Sequence, residues 1–282
     1  MLATLGDLVE DVVVRVREPI NVASDTESVI TRRRGGSAAT VAVVAAQLGF
    51  ESRFIGQVGA DPTGNLLIDE LRADGVDVSA VRQSGTTGTI VVLVDATGER
   101  SMLTDRRACL SLSDPDPRWL EGVTMLHVPL YSLLEDPLAA TSNTVIDWAR
   151  KRSIPVSIDA SSTAIIKAAG VPAVRKLLLA FHPNVLFANN DEASLLGLDD
   201  PPGDSLVVIK RGASPALVIV AGSAPIEVPA LPLDAVADTT GAGDAFAAGF
   251  LTHGAEASWR DAPVDACRSG HSAAMALLTS LS

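Results

Sequence analysis

Cysteine is nearly absent from this 282-residue chain. Its two copies, Cys109 and Cys267, stand alone with no Cys-x-x-Cys and no Cys/His ligand spacing, which excludes a disulfide framework or a zinc ribbon. The four histidines, His127, His182, His253 and His271, are scattered without metal spacing. Aromatics make up only 4% of residues, too few for the stacking platforms that bind single-stranded nucleic acid. Basic charge is short as well: 22 Lys and Arg against 34 Asp and Glu leave −12, the wrong sign for a general nucleic-acid or anionic-membrane binder. No apolar run reaches 18 residues, so no membrane span is expected. The opening Met1–Asp7 has no basic n-region and does not read as a signal peptide, and the two lone cysteines make a reduced cytoplasm the expected location. There is no Gly-Lys before Ser or Thr, no Gly-x-Ser-x-Gly and no His-Glu-x-x-His, so P-loop kinases, α/β-hydrolases and zincins are excluded.

What is present is an ordinary globular composition, 47% hydrophobic and 20% charged, with enough apolar residues for a sizeable core. Short β-branched runs alternate with helical stretches, the pattern of an α/β fold with a mainly parallel sheet. Thr124–Val128, Val156–Asp159, Val185–Ala188, Leu206–Lys210 and Ala216–Val220 read as strands buried on both faces. Ala38–Leu48, apolar all round and stopped by Gly49, predicts a buried helix; Thr63–Asp74 carries Leu67, Ile68 and Leu71 on one face. Further helices are expected over Asn143–Lys151, Ala245–Leu251 and Ala262–Leu281. Two regions, 12–33 and 88–105, read as hairpins without helices between their strands, and predict a small antiparallel sheet set in a single domain spanning 1–282 as a lid.

The most informative stretch is Asp238-Thr239-Thr240-Gly241-Ala242-Gly243-Asp244. A Gly-Ala-Gly turn entering a helix leaves backbone N–H groups aimed at one point, and the helix dipole adds positive potential there. The Asp244 carboxylate would repel a bound phosphate, so it makes sense as a base that takes a proton from a hydroxyl while the amides of Gly241, Ala242 and Gly243 hold a phosphoryl group. The alternative is a tight turn with an acid in the first helical turn, stabilising the dipole. Gly35-Gly36 also precedes a helix, and Gly6–Asp11 ends a strand with acids that suit sugar hydroxyls. Asn189–Glu192 offers hard oxygen ligands for Mg²⁺ through water, or else a helix cap; Lys210-Arg211-Gly212 ends a strand where open α/β sheets place ligands.

Taken together and in order, these segments resemble the ribokinase-like (PfkB) carbohydrate kinases over nearly the whole chain. Asp238–Leu251 is similar to the family's C-terminal signature, and Gly35–Gly49 running on to Gly56 and Gly59 is similar to its N-terminal one. The resemblance implies a three-layer sandwich, a central sheet flanked by helices, with a β lid that often takes part in homodimerisation. It implies transfer of the ATP γ-phosphoryl group to a sugar hydroxyl, with Asp244 as base and Gly241–Gly243 as anion hole. Asp11, Gly35, Gly36 and Thr40 would meet the sugar. Asn189 and Glu192 would serve Mg²⁺ and phosphate, and Lys210, Gly212 and His271 would border the nucleotide. Asp238 and the Thr240 carbonyl would bind a monovalent cation, usually K⁺.

Thr40 stands where the family usually has Asn, Val9 replaces a polar residue of ribokinases, and Pro215 replaces a usual Gly. Arg106 is a candidate acceptor contact that would suit an acidic sugar, or else a lid charge. The leading expectation is a Mg·ATP-dependent sugar kinase. The alternatives are a nucleoside kinase or a non-catalytic nucleotide- or sugar-binding member of the same fold.

Overall fold

The structure, a computed structural model, describes residues 1–233, 239–253, 259 and 261–280. Nine strands form one sheet in the order β13 (Ile226–Val228), β12 (Ala216–Ile219), β11 (Leu206–Lys210), β10 (Val185–Asn189), β9 (Val156–Asp159), β8 (Met125–Pro129), β1 (Leu2–Leu5), β4 (Ser52–Val58) and β5 (Asp77–Gln83). All neighbours from β11 to β5 are parallel, while β12 and β13 close one edge antiparallel. The central strands are short apolar runs because both faces are covered.

One face carries α1 (Ser37–Gln47), α2 (Pro62–Ala73), α7 (Ala242–Leu251) and α8 (Pro263–Ser280). The other carries α3 (Leu138–Lys151), α4 (Thr163–Ala169), α5 (Val171–Phe181) and α6 (Asn190–Leu196). Under α7, Phe187 meets Phe250 edge-on at 5.3 Å and Phe246 at 6.4 Å, each such pair contributing about 1 kcal/mol beyond its buried area. This core fixes the height of α7 over β10. Two sequence expectations shift here: α3 starts earlier than Asn143, and α7 starts at Ala242 rather than Ala245, so the glycine turn forms its first turn.

β1 lies between β4 and β8, so the chain winds outward in opposite directions from this point, and the crevice beyond the carboxyl ends of β1 and β8 is where such sheets take ligands. Over that end stands a second sheet in the order β3 (Ser28–Gly35), β2 (Val9–Val16), β6 (Thr89–Val94) and β7 (Arg100–Asp105). The sequence reading of an antiparallel sheet holds for its two hairpins but not for their join, since β2 and β6 run parallel. Between the hairpins the chain passes through α1, β4, α2 and β5, which returns β6 in the direction of β2. Among the described residues no helix is long and apolar enough to cross a membrane.

Candidate active site

The site assembles at two helix entrances. Gly36, the N-cap of α1, has φ 107°, and a Cβ there would overlap the Asp7 carbonyl. Only glycine lets α1 start against the end of β1. A Cβ on Gly35 would overlap the Asp11 carboxylate, which sits in β2 opposite Arg33 at 3.9 Å. Burial pushes Asp11 up to about 6, with Arg33 pulling weakly the other way.

Gly241 caps α7 in the left-handed region, φ 80°, and a Cβ would stand 3.4 Å from Thr40 Cγ2 and 3.2 Å from Leu277 Cδ2. The Ala245 N–H makes the first helical bond, 2.8 Å to the Gly241 carbonyl, and the Ala242 N–H lies 3.3 Å from the Thr239 carbonyl. The Gly243 and Asp244 amides therefore precede the helical ladder and face the site. Asp244 accepts a 2.5 Å hydrogen bond from the Ser37 hydroxyl, which joins the two helix entrances. Desolvation drives its carboxyl up to about 7, against the lowering effects of Ser37 and the Lys210 charge. A carboxyl so placed is poised for proton transfer near neutrality.

Beside this centre, Arg106 binds Asp7 through both carboxylate oxygens, at 2.7 and 2.8 Å, and stacks 5.6 Å from the Tyr131 ring centroid. Its charge is thus already matched. On the other side a cavity of about 420 Å³ is lined by Asn189, Asn190, Asp191, Lys210, Gly212 and Ser214, among others. Lys210 reaches from it to Asp159, Nζ to Oδ2 2.5 Å, beneath the glycine turn.

The sequence candidates therefore fall into place unevenly. Asp11, Gly35, Gly36 and Asp244 come together, and Asn189, Lys210 and Gly212 share the cavity. Asn189 and Glu192 form a reciprocal capping box for α6, with Glu192 buried and its carboxyl raised chiefly by desolvation and next by Asp159. Thr40 does not extend its hydroxyl toward Asp11 but bonds the Gly36 carbonyl at 3.0 Å. His271 is buried, its Nε2 3.3 Å from the Val228 carbonyl and its ring edge-on to Phe246. Thr240 accepts a 2.5 Å bond from Arg100 of β7; Asp238 lies outside the described residues. Sequence reasoning missed Ser37, Asp159 and Arg100. Ser37 sat inside a motif read for its glycines, and Asp159 was read only as the end of a strand.

Comparison with known proteins gives the same reading of the chain. The family described as pfkB family carbohydrate kinase matches residues 1–282. An ATP-dependent ribose-1-phosphate kinase of Halopiger xanaduensis is 33% identical over 253 residues, 86% of this chain and 80% of that protein. Fructosamine kinase FrlD of Bacillus subtilis is 31% identical over 229 residues, 77% of this chain and 75% of that protein. The fold matches that of an uncharacterized sugar kinase from Pyrococcus horikoshii in complex with ATP, with TM-score 0.80 and 24% identity over 98% of this chain and 91% of the other.

Proposed function

This chain belongs to the pfkB family of carbohydrate kinases, and from that premise we propose that it transfers the γ-phosphoryl group of ATP to a hydroxyl of a small neutral sugar. The observation that carries the reading is Asp244: a carboxyl raised to about 7, bonded to Ser37, in the same helical turn as unpaired amides. The acceptor lies between Asp11, the Gly35–Gly36 entrance and the Asp7–Arg106 pair. Asp11 accepts from sugar hydroxyls, and Gly35 leaves room for its carboxylate. Because Asp7 already neutralises Arg106, the pair orients hydroxyls rather than capturing an acid. ATP occupies the cavity at Asn189–Asp191 and Lys210–Gly212. Asp244 removes the proton of the attacking hydroxyl, and the Gly241, Gly243 and Asp244 amides, rather than that of Ala242, which is turned to the Thr239 carbonyl, stabilise charge on the phosphoryl oxygens as the bond to ADP breaks.

Mg²⁺ enters with ATP. Among the described residues no group of three acids, histidines or cysteines could hold a metal ion. Asn189, at the edge of the cavity, would meet its water shell, with Glu192 buried behind it and both Glu192 oxygens bonded to Asn189, and the ion would neutralise phosphate charge. By resemblance to the family, K⁺ would be held by the Thr240 carbonyl and by Asp238, the latter outside the described residues. The small sheet acts as lid and, through its outer face of Val12, Val14, Ile30, Val91, Leu93 and Leu103, as the contact with a second copy. Ile30 is 58% and Leu103 64% exposed, an apolar area that a self-complementary face would cover. Both cysteines are free and buried, in keeping with a cytoplasmic protein.

The test is ADP release with Mg·ATP, with and without K⁺, over ketoses, aldoses, sugar acids, sugar phosphates and nucleosides. We expect release that depends on a neutral sugar and falls about 10³-fold in Asp244→Asn with ATP affinity retained. Undiminished turnover in that variant removes Asp244 as base.

A further inference from the structure

Lys210 ends β11 opposite Asn189, yet its ammonium is not at that level. The side chain leans back across β10, where Nζ lies 5.8 Å from the Phe187 ring centroid, and binds Asp159 of β9, which stands level with Phe187. It thus bridges three strands. Directly above it sits the glycine turn: Nζ is 3.4 Å from the Gly243 carbonyl, and a Cβ added to Gly243 would lie 3.2 Å from the same nitrogen. Asp159 is almost fully buried, with a side-chain exposure of 6% against 15% for Lys210.

We propose that Asp159 is a positioning residue for phosphoryl transfer: it holds the Lys210 ammonium under Gly243, so that the first turn of α7 rests on a fixed cation and Asp244 is kept free of it. The inference rests on the reading of that turn as anion hole and of Asp244 as base. Three carboxylates, Asp159, Asp244 and Glu192, act on this one ammonium, and His127 nearby is held neutral by burial, down to about 4. Lysine is a flexible point charge with three rotatable donors, so its position is set by the acid that binds it. Without Asp159 the remaining acids are Asp244 and Glu192. Pairing with Asp244 would withdraw the base from the acceptor hydroxyl and remove the support beneath Gly243. Removing one partner of a buried ion pair leaves an uncompensated charge, so a purely structural role predicts a fall in melting temperature without a coupled loss of kcat.

The test is a double-mutant cycle in the full chain, using ADP release with the best acceptor of the panel above and a thermal melt on each variant. Asp159→Asn and Lys210→Met should each lower kcat about 30-fold while leaving the acceptor KM within about twofold. The double variant should be no slower than Lys210→Met, because Asp159 acts only through that lysine. Asp159→Glu should recover part of the lost turnover. Comparison of Lys210→Met with the double variant, both without the ammonium, reads the same coupling even if Asp159→Asn folds poorly. Multiplied losses of about 10³-fold in the double variant, or unchanged kcat in Asp159→Asn, would overturn the proposal. Normal turnover in Asp244→Asn would instead overturn the assignment of the base, and the cycle would still report whether Asp159 and Lys210 are coupled.

Discussion

Ser37→Ala removes the hydroxyl that donates to Asp244 at 2.5 Å and leaves the backbone entrance of α1 intact. In the wild type the carboxyl ionises near 7, because desolvation outweighs the lowering effects of Ser37 and Lys210. A base must be ionised to act, so kcat/KM should rise with pH, from about one-tenth of its plateau at pH 6 to about nine-tenths at pH 8. An unperturbed aspartate would give a flat profile over that range. A hydrogen bond to a charged group contributes about 1.5–3 kcal/mol, and each 1.4 kcal/mol is one pH unit. Loss of Ser37 should therefore move the acidic limb upward by at least about one unit.

At pH 7 the variant would then show about one-fifth of wild-type kcat/KM, and by pH 9 the two would nearly coincide. The assay is coupled ADP release from pH 5.5 to 9.5 at low acceptor concentration, which reports the free enzyme. The sign follows from the chemistry. Removing a donor destabilises the anion, so ionisation needs higher pH and activity recovers in base. A Ser37→Ala deficit constant across the range would mean that the hydroxyl holds the helix entrance rather than tuning the base. A wild-type limb below pH 5 would refute the perturbed carboxyl itself.

The remaining predictions concern the scaffold of the site. Gly36→Ala places a Cβ against the Asp7 carbonyl at φ 107°, and should cost about 2 kcal/mol or more in urea unfolding; an unchanged midpoint would contradict the close approach of α1 to β1. Arg106→Ala leaves Asp7 unpaired at a site where both side chains are about one-tenth exposed, and should cost about 3 kcal/mol. Adding Asp7→Asn should restore part of that stability, and a further loss would show that the pair is not the source. Leu103→Asp on the outer face of the small sheet should convert a dimer into a monomer in sedimentation equilibrium; a wild type that sediments at the mass of one chain would remove the interface.

The sequence by itself determined the elements and the chemistry that needs only neighbours along the chain. Buried strands such as Val185–Asn189 and Leu206–Lys210 announce themselves because both faces are covered, and apolar runs of strand length have few other uses. The Gly241-Ala242-Gly243-Asp244 helix entrance was legible because its glycines and its acid lie within one helical turn. Strand direction within the small sheet was not, because whether β2 and β6 run parallel depends on the path through α1 and α2 between them. Nor were the partners that complete the site: Ser37 meets Asp244 from 207 positions away, Arg106 meets Asp7 from 99, and Lys210 meets Asp159 from 51. These contacts belong to no local period. The sequence placed the acid beside its amides, but only the packing of α1 and α7 over the sheet decided how buried that acid is and which donor it faces, and therefore how far its carboxyl is raised.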